Sequence, residues 1–131
     1  MRVNRIDHVG IVVADLDAHV SQLEALGLTL GRTSESPTSR AVFYPCGDSS
    51  VELIEVRDPE VRRARLPEGA ETRIEHIAFE VDDLDEIRGG LEARGVEVSW
   101  PPVPSGDTEM IWTIAETSLG VQYQFRRRPT I

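Results

Sequence analysis

The chain states one pattern twice. Laid side by side at an offset of 68, Arg5–Leu30 and Arg73–Val98 read RIDHVGIVVADLDAHVSQLEALGLTL and RIEHIAFEVDDLDEIRGGLEARGVEV, with 11 of 26 aligned positions identical. The matches include the opening Arg-Ile, the histidine, Asp-Leu-Asp, Leu-Glu-Ala and a glycine. Unrelated segments do not agree this far, so a tandem duplication built the chain, and that decides its architecture before any local reading. Two copies fall short of the three or more repeats a solenoid needs. With 131 residues in all, neither copy can bury enough surface alone, and the two are expected to form one domain about a pseudo-twofold axis.

Each copy reads β-α-β-β-β. Ile6–Val13 and Ile74–Val81 are β-branched runs of strand length. Asp15 and Asp83 stand where a helix is capped, Leu16–Leu26 and Leu84–Arg94 carry apolar residues near helical spacing, and Gly27 and Gly95 stand where a helix is stopped. Strands are then expected at Leu28–Thr33, Arg40–Pro45 and Ser50–Val56, and again at Val96–Trp100, Glu109–Ala115 and Gly120–Arg126. The domain organisation is repeat one over 5–57, a linker over 58–72 with a short helix at Glu60–Leu66, and repeat two over 73–126. The fold class is therefore α+β, and a ligand is expected in the concave surface between paired sheets.

Composition narrows the chemistry. The formal charge of −9 argues against nucleic acid and anionic membranes as partners. All 14 basic residues are arginine, which removes Schiff-base chemistry, Ser–Lys hydrolysis and the phosphate loop ending in Gly-Lys. Cys46 stands alone, so neither an intrachain disulfide nor a thiolate cluster can form. No apolar run approaches membrane-spanning length, and a soluble, cytoplasmic protein is expected. Arg126-Arg127-Arg128 reads as a frayed, solvated tail.

Two of the three histidines, His8 and His76, occupy equivalent places in the repeat. Around a twofold axis such positions converge, and two imidazoles brought together make half of a metal site; the plainer alternative is a structural histidine copied by the duplication. His19 has Ile87 as its counterpart and reads as a helix-surface residue. In Val51–Val56, Glu52 shares a strand face with Ile54, and alternation does not say whether that face meets the site or solvent. Gln122 and Gln124 share a face of the last strand, either as an exposed edge or with one as an oxygen donor.

The runs IDHVGIVV–ADLD–LGL, VFYPCGDSSVELIE and IEHIAFEVDDLD–LEARGVEV, followed by a strand opened by Gly120, resemble the vicinal oxygen chelate superfamily. That group includes glyoxalase I, methylmalonyl-CoA epimerase, extradiol dioxygenases and bleomycin-resistance proteins. The resemblance runs from Arg5 to about Phe125 and implies tandem βαβββ repeats, a half-open mixed sheet and a homodimer. It also implies a divalent ion (Zn, Co, Ni, Mn or Fe) held by His8, Glu52, His76 and Gln124, with Glu52 as catalytic base. The family's last ligand is normally a glutamate, and Gln124 departs from that. An amide can still ligate through its oxygen but cannot take a proton.

The resemblance thus implies a metal-dependent isomerase or lyase that moves a proton next to a carbonyl through a stabilised enolate. Epimerisation needs an acid–base group on each face of the carbon, and Gln124 supplies none. The stretch Ser34–Ser39, where epimerases carry further acid, keeps only Glu35. Glu80, on the parity of His76, is a spare candidate base. Two other readings stay open. One is an Fe(II) extradiol dioxygenase using His8, His76 and Glu52; the other is a metal-free drug-sequestering protein stacking its ligand on Trp100 and Trp112. Substrate contacts are expected on the loops Arg32–Ser39 and Trp100–Asp107.

Overall fold

A computed structural model describes residues 2–128. Its elements are β1 (Val3–Val13), α1 (Leu16–Ala25), β2 (Arg32–Glu35), β3 (Ser39–Cys46), β4 (Ser49–Val56), α2 (Pro59–Arg65), β5 (Thr72–Val81), α3 (Leu84–Glu92), β6 (Val103–Ser105), β7 (Thr108–Trp112) and β8 (Gln122–Arg127), with one 3₁₀ turn at Ala115–Thr117. The class is α+β with an eight-stranded mixed sheet. The chain falls into two compact units: an N-terminal unit, His8–Glu75, and a C-terminal unit joining residues through Asp7 to those from His76 onward. Each unit thus holds a stretch of both β1 and β5. No described helix is long and apolar enough to cross a membrane.

The local signals of the repeat act alike in both units. The Asp15 side chain accepts from Ala18 N, and Asp83 from Glu86 N, each satisfying one amide that a helix start leaves free. Gly27 (φ 96°) and Gly95 (φ 81°) take the left-handed conformation after the helices. Leu28 N then reaches back to Leu23 O, and Val96 N to Leu91 O, both at 3.1 Å.

In the N-terminal unit the strand order is β2-β3-β4-β1, with β1 and β4 parallel and the other pairs antiparallel. One face packs Val13, Leu16, Val42, Tyr44 and Leu53 with Val20 and Leu23 of α1. The opposite face packs Val12, Ala41, Phe43, Ile54 and Val56 against Val61 and Leu66 from the α2 region. Leu53 and Ile54 are both buried because both faces are covered. In the C-terminal unit the order is β5-β8-β7-β6, with β5 and β8 parallel. Here α3 covers one face, packing Leu84 and Ile87 onto Val81, Ile111 and Phe125.

Three expectations are corrected. The strand expected at Leu28–Thr33 starts only at Arg32. Leu28 N is consumed by the helix stop, and Gly31 lies so close to β3 that a Cβ there would meet Pro45 Cδ at 2.8 Å. Val96–Trp100 forms no strand; it makes an isolated bridge from Val98 to Thr113, and the edge is taken up by Val103–Ser105. Pro101 and Pro102 have no N–H to continue a ladder. The supposed loops Arg32–Ser39 and Trp100–Asp107 therefore contain the edge strands β2 and β6.

The arginine run is the third correction. Arg126 and Arg127 lie within β8 and are bonded: Arg126 Nη2 donates to Ser105 Oγ and Thr108 Oγ1, and Arg127 Nη2 to Glu109 Oε2. Cross-strand acceptors on β6 and β7 hold charges that looked solvated in one dimension.

Candidate functional site

In the N-terminal unit the parallel pairing of β1 and β4 sets His8 opposite Ser50 and Gly10 opposite Glu52. Directly opposed residues share a face, so Glu52 points to the side of His8. His8 Nε2 lies 3.4 Å from Glu52 Oε1, with the histidine side chain 3% exposed and the carboxylate 13%. Phe43 is the β3 partner of Glu52 and turns its ring edge-on to the His8 ring, centroids 6.1 Å apart. The Arg32 guanidinium lies 3.8 Å over that same Phe43 ring.

The C-terminal unit repeats the register. His76 is opposite Gln122, Ala78 is opposite Gln124, and Trp112 is the β7 partner of Gln124. Gln124 therefore stands to Ala78 and Trp112 as Glu52 stands to Gly10 and Phe43. His76 is buried, and Gln124 Oε1 is buried with no hydrogen-bond partner among the described residues. A carbonyl oxygen left this way costs about 1–3 kcal/mol relative to one that finds a partner. A cation would supply that partner. Imidazole, carboxylate and amide oxygen are N/O donors of the kind that suits Zn, Co, Ni, Mn or Fe.

The remaining candidates fall elsewhere. Glu80 is held by Arg5 Nε, and Arg5 Nη2 also bonds Asp7 at 3.0 Å, so the spare base is committed to an ion pair. Glu35 is exposed, with Arg57 and Arg40 at 3.8 and 3.9 Å. His19 is half-buried on α1. Two charged groups escaped the sequence reading. Glu75, beside His76, is buried and receives Arg65 Nε at 2.8 Å and Nη2 at 2.7 Å. That two-pronged bond holds the Arg65 guanidinium above its ordinary pKa, although burial opposes the shift. Strand alternation turns Glu75 away from the face of His76, and that signal was legible. The other is Arg126, which sits on the face of Gln124.

Comparisons with known proteins bear on the family and the fold. Residues 7–113 match the family model described as the glyoxalase/bleomycin resistance protein/dioxygenase superfamily. No curated protein sequence matches. Among solved structures, methylmalonyl-CoA epimerase from Mycobacterium tuberculosis superposes with a TM-score of 0.83 at 22% identity, covering 98% of this chain and 90% of its own. A hypothetical protein from Bacillus halodurans gives 0.84 at 24%, covering 99% and 98%. A methylmalonyl-CoA epimerase in complex with methylmalonyl-CoA and NH4+ gives 0.80 at 23%, covering 99% and 98%. At these identities the likeness speaks for the fold.

Proposed function

The chain belongs to the glyoxalase/bleomycin resistance protein/dioxygenase superfamily, and from that premise we propose that it is a divalent-metal-dependent isomerase or lyase acting on a carbon acid next to a carbonyl. The ligands are His8, Glu52, His76 and Gln124. One observation carries the reading: His8 Nε2 and Glu52 Oε1 lie 3.4 Å apart on two largely buried side chains. The unpartnered Gln124 Oε1 supports a fourth contact.

When bound, a divalent ion in this set would polarise two neighbouring substrate oxygens and offset the negative charge that develops as a proton leaves carbon. The chain's own groups do the rest. Glu52 takes the proton on a carboxylate oxygen, a role an amide cannot share. His8 and Phe43 wall that carboxylate from bulk water on its own strand face. Gln124 holds oxygen without moving a proton, and Glu80 is held by Arg5. The proton therefore returns to the face it left, which favours a same-face 1,2-transfer over inversion at carbon. The epimerase-like neighbours support a small acid or thioester as the substrate class.

Elemental analysis and Co(II) titration test the site. About one ion per chain is expected, lost in His8→Ala and in His76→Ala. Exchange of a substrate α-proton with deuterated water should require Glu52 and survive Gln124→Ala in part. Wild type and both histidine variants that are equally metal-free yet equally competent for ligand would overturn the reading in favour of sequestration.

A second reading draws on the same residue types, because two histidines and one carboxylate are also the Fe(II) set of oxygenases. Oxygen uptake with a catechol would establish it.

A further inference from the structure

We propose that Arg126 anchors a carboxylate of the substrate, a contact that rests on reading the neighbouring Gln124 and His76 as part of the metal site. Register places the side chains. His76, Ala78 and Glu80 of β5 oppose Gln122, Gln124 and Arg126 of β8, and Gln124 and Arg126 in turn oppose Trp112 and Met110 of β7. Arg126 therefore projects from the same sheet face as Gln124, two residues or about 7 Å along the strand.

Its bonding is unlike that of its neighbours. Arg127 pairs with Glu109 at 2.9 Å, and Arg5 pairs with Glu80, the residue directly across from Arg126. Among the described residues Arg126 has no carboxylate partner, in a chain with 23 acidic and 14 basic residues. Instead Nη2 donates to two neutral hydroxyls, Ser105 Oγ at 3.1 Å and Thr108 Oγ1 at 3.0 Å. Nε is buried and has no partner among the described residues. Two hydroxyls fix the plane of the guanidinium without supplying a negative charge, while the buried Nε–H lacks an acceptor. A planar anion accepting through two oxygens meets both needs.

The N-terminal unit shows that the scaffold does not require this charge. The residue two positions beyond Glu52 is Ile54, which is sealed in the core. The substrate class is thereby narrowed to a small carbon acid that carries a carboxylate.

Malonate is the probe and its neutral diamide, malonamide, the control, each titrated calorimetrically into the full chain without added metal. Malonate should bind, malonamide about tenfold or more weaker, and Arg126→Gln should weaken malonate by a similar factor, with Arg126→Lys recovering part of it. The folded state of each variant is checked by circular dichroism. If Arg126→Gln does not fold, the side-chain Nε–H resonance of Arg126 in the wild type decides: it must move as malonate is added. Equal binding of malonate and malonamide, binding indifferent to Arg126→Gln, or an unmoved resonance overturns the proposal. A Co(II) titration run alongside keeps the two readings apart. Co(II) uptake with Arg126-independent malonate binding sinks the anchor alone. Arg126-dependent malonate binding without Co(II) uptake keeps the anchor and sinks the metal site.

Discussion

The two units share a backbone plan and differ in what their histidine-bearing faces are made of. Caps, helix stops and strand register coincide, down to Gly10 opposite Glu52 and Ala78 opposite Gln124. Beyond those positions the faces part. In the N-terminal unit Ile54 joins Val12, Ala41 and Val56 under Val61 and Leu66 in an apolar cluster. In the C-terminal unit the same register holds Arg126, tied to Ser105 and Thr108. Duplication thus copied what backbone hydrogen bonding needs, a framework tolerant of many side chains. In the N-terminal unit a covering segment, α2, packs on this face and makes apolar burial favourable there, by about 1.5–3 kcal/mol for a side chain such as Ile54.

The largest test exchanges those two residues. Ile54→Arg should bury an unpaired charge and cost more than about 4 kcal/mol, enough to prevent folding. Arg126→Ile should shift stability by no more than about 1 kcal/mol, since its guanidinium holds only hydroxyls. Urea unfolding measures both, and equal costs would erase the asymmetry.

Exchanging the two donors comes next. Glu52→Gln should lower α-proton exchange by about 10²–10⁴-fold, the usual worth of a positioned base, while keeping an oxygen ligand. Gln124→Glu should leave metal content unchanged and add exchange with inversion, because each face would then have a carboxylate. Deuterium incorporation and chiral analysis of product separate these outcomes.

Smaller effects test supports present in one unit. Arg65→Met should cost about 2–3 kcal/mol in urea unfolding, below the usual 3–5 for a broken buried pair because the Arg65 side chain is about a third exposed. The smallest contrast involves two buried hydroxyls, Tyr44 next after Phe43 in β3 and Thr113 next after Trp112 at the end of β7. Thr113 Oγ1 contacts Ser118 Oγ and accepts from Tyr123 N, so Thr113→Val should cost about 1–3 kcal/mol. Tyr44 OH has no hydrogen-bond partner among the described residues; burial, and secondarily the charge of Glu24, raises its pKa. A raised phenol pKa means that the folded state holds its proton longer. The stability this confers is full below the ordinary value of 10.0 and lost as pH climbs past it. Tyr44→Phe should be within about 1 kcal/mol of wild type at neutral pH and should flatten the alkaline loss, read from melting temperature against pH.

Much of the fold was written in local chemistry. Asp15, Asp83, Gly27 and Gly95 act through contacts a few residues away, so their effects could be read from spacing alone. Edge strands were misplaced because β2 and β6 are positioned by partners distant in sequence and by where Gly31, Pro101 and Pro102 interrupt pairing. At the site, equivalence in the repeat singled out His8 and His76, yet the orientation of Glu52 required the register of β4 on β1. Arg126 was misjudged for the same reason, since its acceptors lie 18 and 21 residues away.

The sequence by itself determined the duplication, the helix boundaries and the paired histidines, because these depend on near neighbours and on symmetry between copies. Only the tertiary structure decided that Glu52 turns toward His8, that Glu75 requires Arg65, and that Arg126 is held on the face of Gln124. Those outcomes follow from which strands meet and in what register, and two faces of a strand are indistinguishable until a partner covers one of them.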